Sequence, residues 1–195
     1  MSEHMTRWIF CLGLALMNVS VAVEGRAQEA STSAISPEAQ RLIDQFEADD
    51  PYLRRQAFLQ LEALREPATA SVVHRYLTHR QAEIRALSVR AIAAIEGLKA
   101  VPTLIERLQH DRSPYVRLQA ILAIEPFLAQ ETSAVPQLIK ALRDRHPDVR
   151  MAAIDVVSRI ETAEAQEALA VRWKRERHRD VRRVLEAAMK RLGKL

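Results

Sequence analysis

Residues 100–121 read Ala100-Val101-Pro102-Thr103-Leu104-Ile105-Glu106-Arg107-Leu108-Gln109-His110-Asp111-Arg112-Ser113-Pro114-Tyr115-Val116-Arg117-Leu118-Gln119-Ala120-Ile121. Residues 134–154 run in parallel: Ala134-Val135-Pro136-Gln137-Leu138-Ile139-Lys140-Ala141-Leu142-Arg143-Asp144-Arg145-His146-Pro147-Asp148-Val149-Arg150-Met151-Ala152-Ala153-Ile154. Each has a proline-aliphatic opening, a turn carrying an aspartate, then a β-branched residue and an arginine that start an apolar run with helical spacing. Followed outward, the arginine recurs as Arg54, Arg85, Arg117, Arg150 and Arg182, at gaps of 31, 32, 33 and 32 residues. Each follows Leu53, Ile84, Val116, Val149 or Val181. A fixed period of this size marks a repeat array, whose units bury their apolar faces only against their neighbours.

Columns counted from the arginine predict a second helix in every unit. Leu61, Ile92, Ile124, Val157 and Met189 lie seven residues on, and Phe58, Val89, Ile121 and Ile154 lie four on. Leu64, Ile95, Phe127, Ile160 and Leu192 lie ten on. Together with the aliphatic before the arginine they form one stripe at helical spacing. Three residues on, Ala57, Ser88, Ala120 and Ala153 are small, which lets helices approach. Asp50-Pro51, Ser113-Pro114 and His146-Pro147 mark helix starts, with proline where a missing N–H costs nothing. Ser36-Pro37-Glu38 does the same for the first helix. Gly97 ends one helix in the left-handed region, and Pro126 ends another early. Glu186 interrupts the apolar column in the fifth unit, as a polar terminal cap would.

The bulk numbers agree with many short amphipathic helices. Of 195 residues, 48% are apolar, 28% charged and 5% aromatic, with four glycines. Strands would want more β-branched and aromatic residues. Four glycines, two of them near the N-terminus, leave no phosphate-cradling loop. The net charge of +4 permits an acidic partner without requiring one. The only cysteine, Cys11, leaves no thiol for disulfides or metal sites in the repeats.

The N-terminus has the pattern of an export signal. Arg7 precedes the apolar run Trp8–Met17, Met5 offers an alternative start, and cleavage fits after Ala22 or after Ala27. An uncleaved anchor is the alternative, although the run is short for a span of roughly 20 residues. The expected organisation is a signal peptide over 1–27, a flexible linker over 28–36 and a repeat domain over 37–195. An exported, periplasmic or secreted location follows, with no membrane span once the signal is removed.

The motifs Ala100-Val101-Pro102 … Asp111 … Val116-Arg117 … Ala120 and Ala134-Val135-Pro136 … Asp144 … Val149-Arg150 … Ala153 resemble the HEAT-repeat superfamily. In particular they resemble its short subclass named after phycocyanobilin lyases. The resemblance covers about Pro37 to Leu195 and implies an all-α, right-handed α-solenoid of about five helical hairpins. Two enzymatic branches of that superfamily transfer poorly. Deoxyhypusine hydroxylase holds iron through His-Glu dipeptides, and this chain has none. Bilin lyases act on a chromophore for which no residue pattern is visible, so a lyase-type enzyme is the weaker alternative. Nucleic acid, which a related glycosylase branch binds, would not normally meet an exported protein.

No catalytic, cofactor-binding or metal-ligating set emerges. The arginine column either meets an acidic ligand or, as arginine's fork favours, pairs with turn acids such as Asp111 and Asp144. His146 and His178 share one repeat position, which suits helix caps better than a shared ion. On a helical wheel, the positions one and five after each arginine point away from the core stripe. There Leu118, Leu122 and Met151 make a candidate apolar partner site on the concave face, with Arg55, Arg90 and Arg183 around it. The run with Arg172, Lys174, Arg175, Arg177 and Arg179 is a candidate surface for an anionic partner, or else a solvated cap helix. The expected function is a non-enzymatic exported scaffold for a protein partner, and no small-molecule substrate is evident. The alternative is an accessory subunit that binds an anionic partner through the fifth repeat.

Overall fold

A computed structural model describes residues 34–194. The expected signal peptide, its cleavage positions, Cys11 and most of the linker lie outside the described residues. Within them the chain forms five helical hairpins and no strand. The pairs are α1 (Pro37–Asp44) with α2 (Pro51–Leu64), α3 (Ala70–Tyr76) with α4 (Ala82–Glu96), and α5 (Val101–His110) with α6 (Pro114–Ile124). They continue as α7 (Val135–Ala141) with α8 (Pro147–Val157) and α9 (Ala163–Arg175) with α10 (Arg179–Arg191). The second helices α2, α4, α6, α8 and α10 pack successively on one another, far more closely than the first helices do. That difference bends the stack, with the second helices on the inside. The fold is an all-α solenoid.

The starts occur where proline and its neighbour put them. Ser36 caps α1, its hydroxyl accepting from the Ala39 N–H at 3.1 Å. Asp50 caps α2 through the Tyr52 N–H at 2.8 Å. Pro114 and Pro147 open α6 and α8. Gly97 ends α4 at φ +58, a conformation that L side chains rarely adopt. Pro126 lies in a 3-10 turn just after α6. The columns three, four and seven residues past the arginine are buried in the first four repeats, and Ser88 meets its burial by donating to the Ile84 carbonyl at 2.8 Å. The column ten residues on departs from the reading. Only Ile95 of that column is buried: α6 and α8 stop at Ile124 and Val157 before they reach Phe127 and Ile160, and Leu64 is exposed although it is the last residue of α2. Leu53 also departs, at 45% exposed, since no described repeat precedes it to cover that face.

The arginine column joins one repeat to the next. Arg85 places Nε and Nη2 on the two carboxylate oxygens of Asp111, both at 2.8 Å. Arg117 does the same to Asp144 at 2.8 and 2.7 Å, and Arg150 to Glu176 at 3.0 and 3.2 Å. In each case Nη1 turns back to a carbonyl of the arginine's own inter-helix turn: His79, Asp111 or Asp144, at 2.7 to 3.0 Å. The acids then accept from the N–H two residues on, Ser113, His146 or His178, at 2.8 Å. These three residues sit at helix N-caps, yet their own side chains cap nothing, so the expected role of the histidines passes to the acids before them. One carboxylate thus fixes both the turn of its own repeat and the arginine of the repeat before.

The first junction differs. His79 stands where the later repeats carry an acid, its Nδ1 accepting from the Gln81 N–H at 3.1 Å. Arg54 binds only the carbonyls of its own turn. Aromatic packing takes over: Tyr76 of the second repeat meets Phe46 and Phe58 of the first edge-on, at 5.2 and 6.0 Å between centroids, and those two rings stack on each other at 3.8 Å.

Removing one partner of a buried, forked pair strands the other charge. Asp111→Ala is expected to lower unfolding free energy by about 3–5 kcal/mol, measured by urea denaturation. Arg85→Lys should fail to behave as wild type, because an ammonium cannot make the fork.

Candidate functional site

A groove of about 630 Å³ opens on the inside of the curve across α2, α4 and α6. Glu62 and Arg65 line it from the first repeat, Arg90, Ala93 and Gly97 from the second, and Gln119, Leu122 and Phe127 from the third. Its floor is apolar, and Leu122, 44% exposed, is its most open large apolar side chain. Arg90 crosses to Glu62 at 3.0 Å, so the acid and base at this spot are paired with each other. Arg65 ends α2 at φ +51, a left-handed position usually taken by glycine, which projects its side chain at the groove's edge.

Of the six residues expected to form the partner site, the structure brings two into this groove, Leu122 and Arg90. Leu118 and Met151 are half-buried and packed on the core. They sit directly after the register arginine, the position from which Arg55 reaches Glu83 of the next repeat. Arg55 is exposed and paired with Glu83. Arg183 is exposed in the fifth repeat, 4.0 Å from Asp180 and remote from the groove. The three arginines therefore do not rim one patch. Glu62 and Arg65 line the groove from outside the repeat columns, and Phe127, expected in the core stripe, lines it too. Glu62 was legible as an acid facing Arg90 across adjacent repeats, whereas nothing in the sequence marks Arg65 as a left-handed cap.

In the fifth repeat, Lys174, Arg175, Arg177 and Arg179 are exposed, but Arg172 is not free. Its Nε donates to Glu176 at 2.9 Å, so it belongs to the buried network rather than to the open basic surface. Burial pushes the Glu176 carboxyl up, yet the His178 N–H and the guanidinium groups of Arg150 and Arg172 outweigh it and hold the pKa at about 2. Asp111 and Asp144 are likewise lowered: burial opposes, and the forked arginines prevail. Arg182 lies over the Trp173 ring at 4.4 Å. Among the described residues no three His, Cys, Asp or Glu side chains converge as a metal site would require.

A family model for HEAT repeats matches residues 39–125 and again residues 101–190. No curated protein matches the sequence. Solved structures do. A chain of the CpcE–CpcF complex of phycocyanin lyase from Nostoc sp. PCC7120 superposes with a TM-score of 0.65 at 21% identity, covering 77% of this chain and 97% of that one. YibA of Escherichia coli gives 0.59 at 20% identity, covering 82% of this chain and 61% of its own. At these identities the likeness is one of fold.

Glu176 has a folded pKa below its ordinary 4.5, so its contribution to stability is complete above about pH 5. It is lost as pH falls from there toward 2. Glu176→Gln should unfold at a lower temperature at pH 7 and show a shallower loss of Tm between pH 5 and pH 2 than wild type, read by circular dichroism.

Proposed function

The chain belongs to the HEAT-repeat family, and we propose that it is a non-enzymatic exported scaffold that holds a protein partner in the groove of its concave face. The observation that carries this reading is the apolar floor at Leu122 and Phe127, open to solvent and flanked by the Arg90–Glu62 pair. Apolar surface edged by polar groups is what a protein interface buries. The lining contains no histidine, serine or cysteine, and its one acid is engaged by Arg90, so it is chemistry for holding rather than for turnover. A neighbour of the same fold, phycocyanin lyase, is itself a complex of two proteins, which supports using this fold to bind a polypeptide.

A second reading takes its support from exposed Lys174, Arg175, Arg177 and Arg179, whose charges would meet an anionic partner. Such contacts weaken as salt screens them, whereas apolar contacts in the groove persist.

Two measurements test the first reading. A protein retained by the immobilised chain from its native extract should be lost with Leu122→Asp at unchanged Tm. Retention by that variant would remove the groove from the function. Export is tested by the N-terminal sequence of the protein recovered outside the cytoplasm, expected to begin at Val23 or Gln28.

A further inference from the structure

The acids of the inter-helix turns point inward and are consumed by the ladder, and the residue after each of them points outward. It is an arginine in three turns, Arg112, Arg145 and Arg177, and Arg80 occupies the same place after His79. All four are exposed. Arg112 donates Nη2 to the Arg80 carbonyl at 2.9 Å, and Arg145 to the Arg112 carbonyl at 3.1 Å, so successive members of the file lean on one another. None of the four has a carboxylate within ion-pair distance among the described residues. Asp111, Asp144 and Glu176, the acids beside them, are already neutralised by Arg85, Arg117 and Arg150. The edge of repeats two to five therefore carries a regular row of uncompensated guanidinium groups, one per repeat. The dense basic run of the fifth repeat is its end.

Packed helices lie about 8–10 Å apart, which sets the spacing of the row. A polypeptide in the polyproline II conformation has three residues per turn and rises about 3.1 Å per residue, so every third side chain repeats on one face about 9 Å further on. The two periods coincide. We propose that the turn edge binds an extended acidic polypeptide segment with a carboxylate at every third residue, one carboxylate to each of Arg80, Arg112, Arg145 and Arg177. This sharpens the second reading above and rests on it. It is independent of the groove. A carboxylate is the partner that these turns already select three times over, through forked guanidinium contacts. A single-stranded nucleic acid would want aromatic faces for its bases, and Trp173, at the basic end of the row, is covered by Arg182.

The test uses the purified chain and three fluorescent probes: a peptide of four Pro-Pro-Glu triplets, a peptide of the same composition with its four glutamates contiguous, and a twelve-residue oligothymidylate. Anisotropy should show the triplet peptide binding about tenfold or more tighter than the contiguous one. Arg112→Glu/Arg145→Glu should weaken it by at least about tenfold at unchanged Tm, the sum of two lost and reversed ion pairs. Should that pair of changes disturb folding, Arg80→Glu/Arg177→Glu gives the same readout, since neither side chain makes a hydrogen bond within the described residues. Equal affinity for the two peptides would overturn the register while leaving an anionic partner in place. Tighter binding of the oligothymidylate would overturn the peptide assignment. No binding of any probe would overturn both this proposal and the anionic reading beneath it.

Discussion

The stack depends on a guanidinium held between two turns. The apolar stripes of successive repeats are so alike that hydrophobic burial alone would accept small slides and rotations of one hairpin on the next, because it is not directional. The fork between Arg85 and Asp111 accepts none. With side chains only 5% and 2% exposed, the pair has given up most of its hydration, and its net contribution to stability is correspondingly modest. What it supplies is a fixed offset between repeats. Because the same carboxylate also accepts the Ser113 N–H, that offset is transmitted directly to the start of α6.

Both surfaces considered for partners follow from this geometry. On the inside, the Arg85–Asp111 fork sets the second helix of repeat three, with exposed Leu122, beside that of repeat two, whose Arg90 reaches back to Glu62. On the turn edge, turning one acid inward leaves the adjacent arginine with no local counter-charge. The basic character of this edge is thus an arrangement: Asp111, Asp144 and Glu176 are taken up by the buried Arg85, Arg117 and Arg150, and the arginines beside those acids are exposed.

Much of this was readable from residue order. The arginine register, its preference for Asp111 and Asp144, the proline-led helix starts, Gly97 and the column seven residues on all depend on local geometry and a constant period, so the chain states them directly. Glu176 was harder to see, since it is a longer acid in an aspartate column and is hidden within a basic run. The apolar pattern runs past the last helical turn at Phe127, where Pro126 marks the early end of α6, and at Ile160, where no residue marks the end of α8. Leu118 and Met151 look open on a single helical wheel and are half-buried against the core of the stack. That is a fact of stacking, and one helix cannot carry it. Arg65 takes a glycine-like conformation with no compositional sign of it, because the turn into the next repeat dictates its backbone.

The substitution of His79 for an acid has a mechanical consequence. Junctions two to four are held by buried forks, whereas across the first Tyr76 meets the rings of Phe46 and Phe58 edge-on, beside the partly exposed pairs Arg55–Glu83 and Arg90–Glu62. A ring contact keeps much of its attraction through small tilts and slides. The joint between repeats one and two therefore lacks the directional constraint that the forks give the other three. Glu62 and Arg65 lie on one side of that joint, and Leu122 and Phe127 lie beyond it. The groove thus spans the one junction among the described repeats that no buried fork fixes, so its width there is set by ring packing and by the Arg90–Glu62 pair.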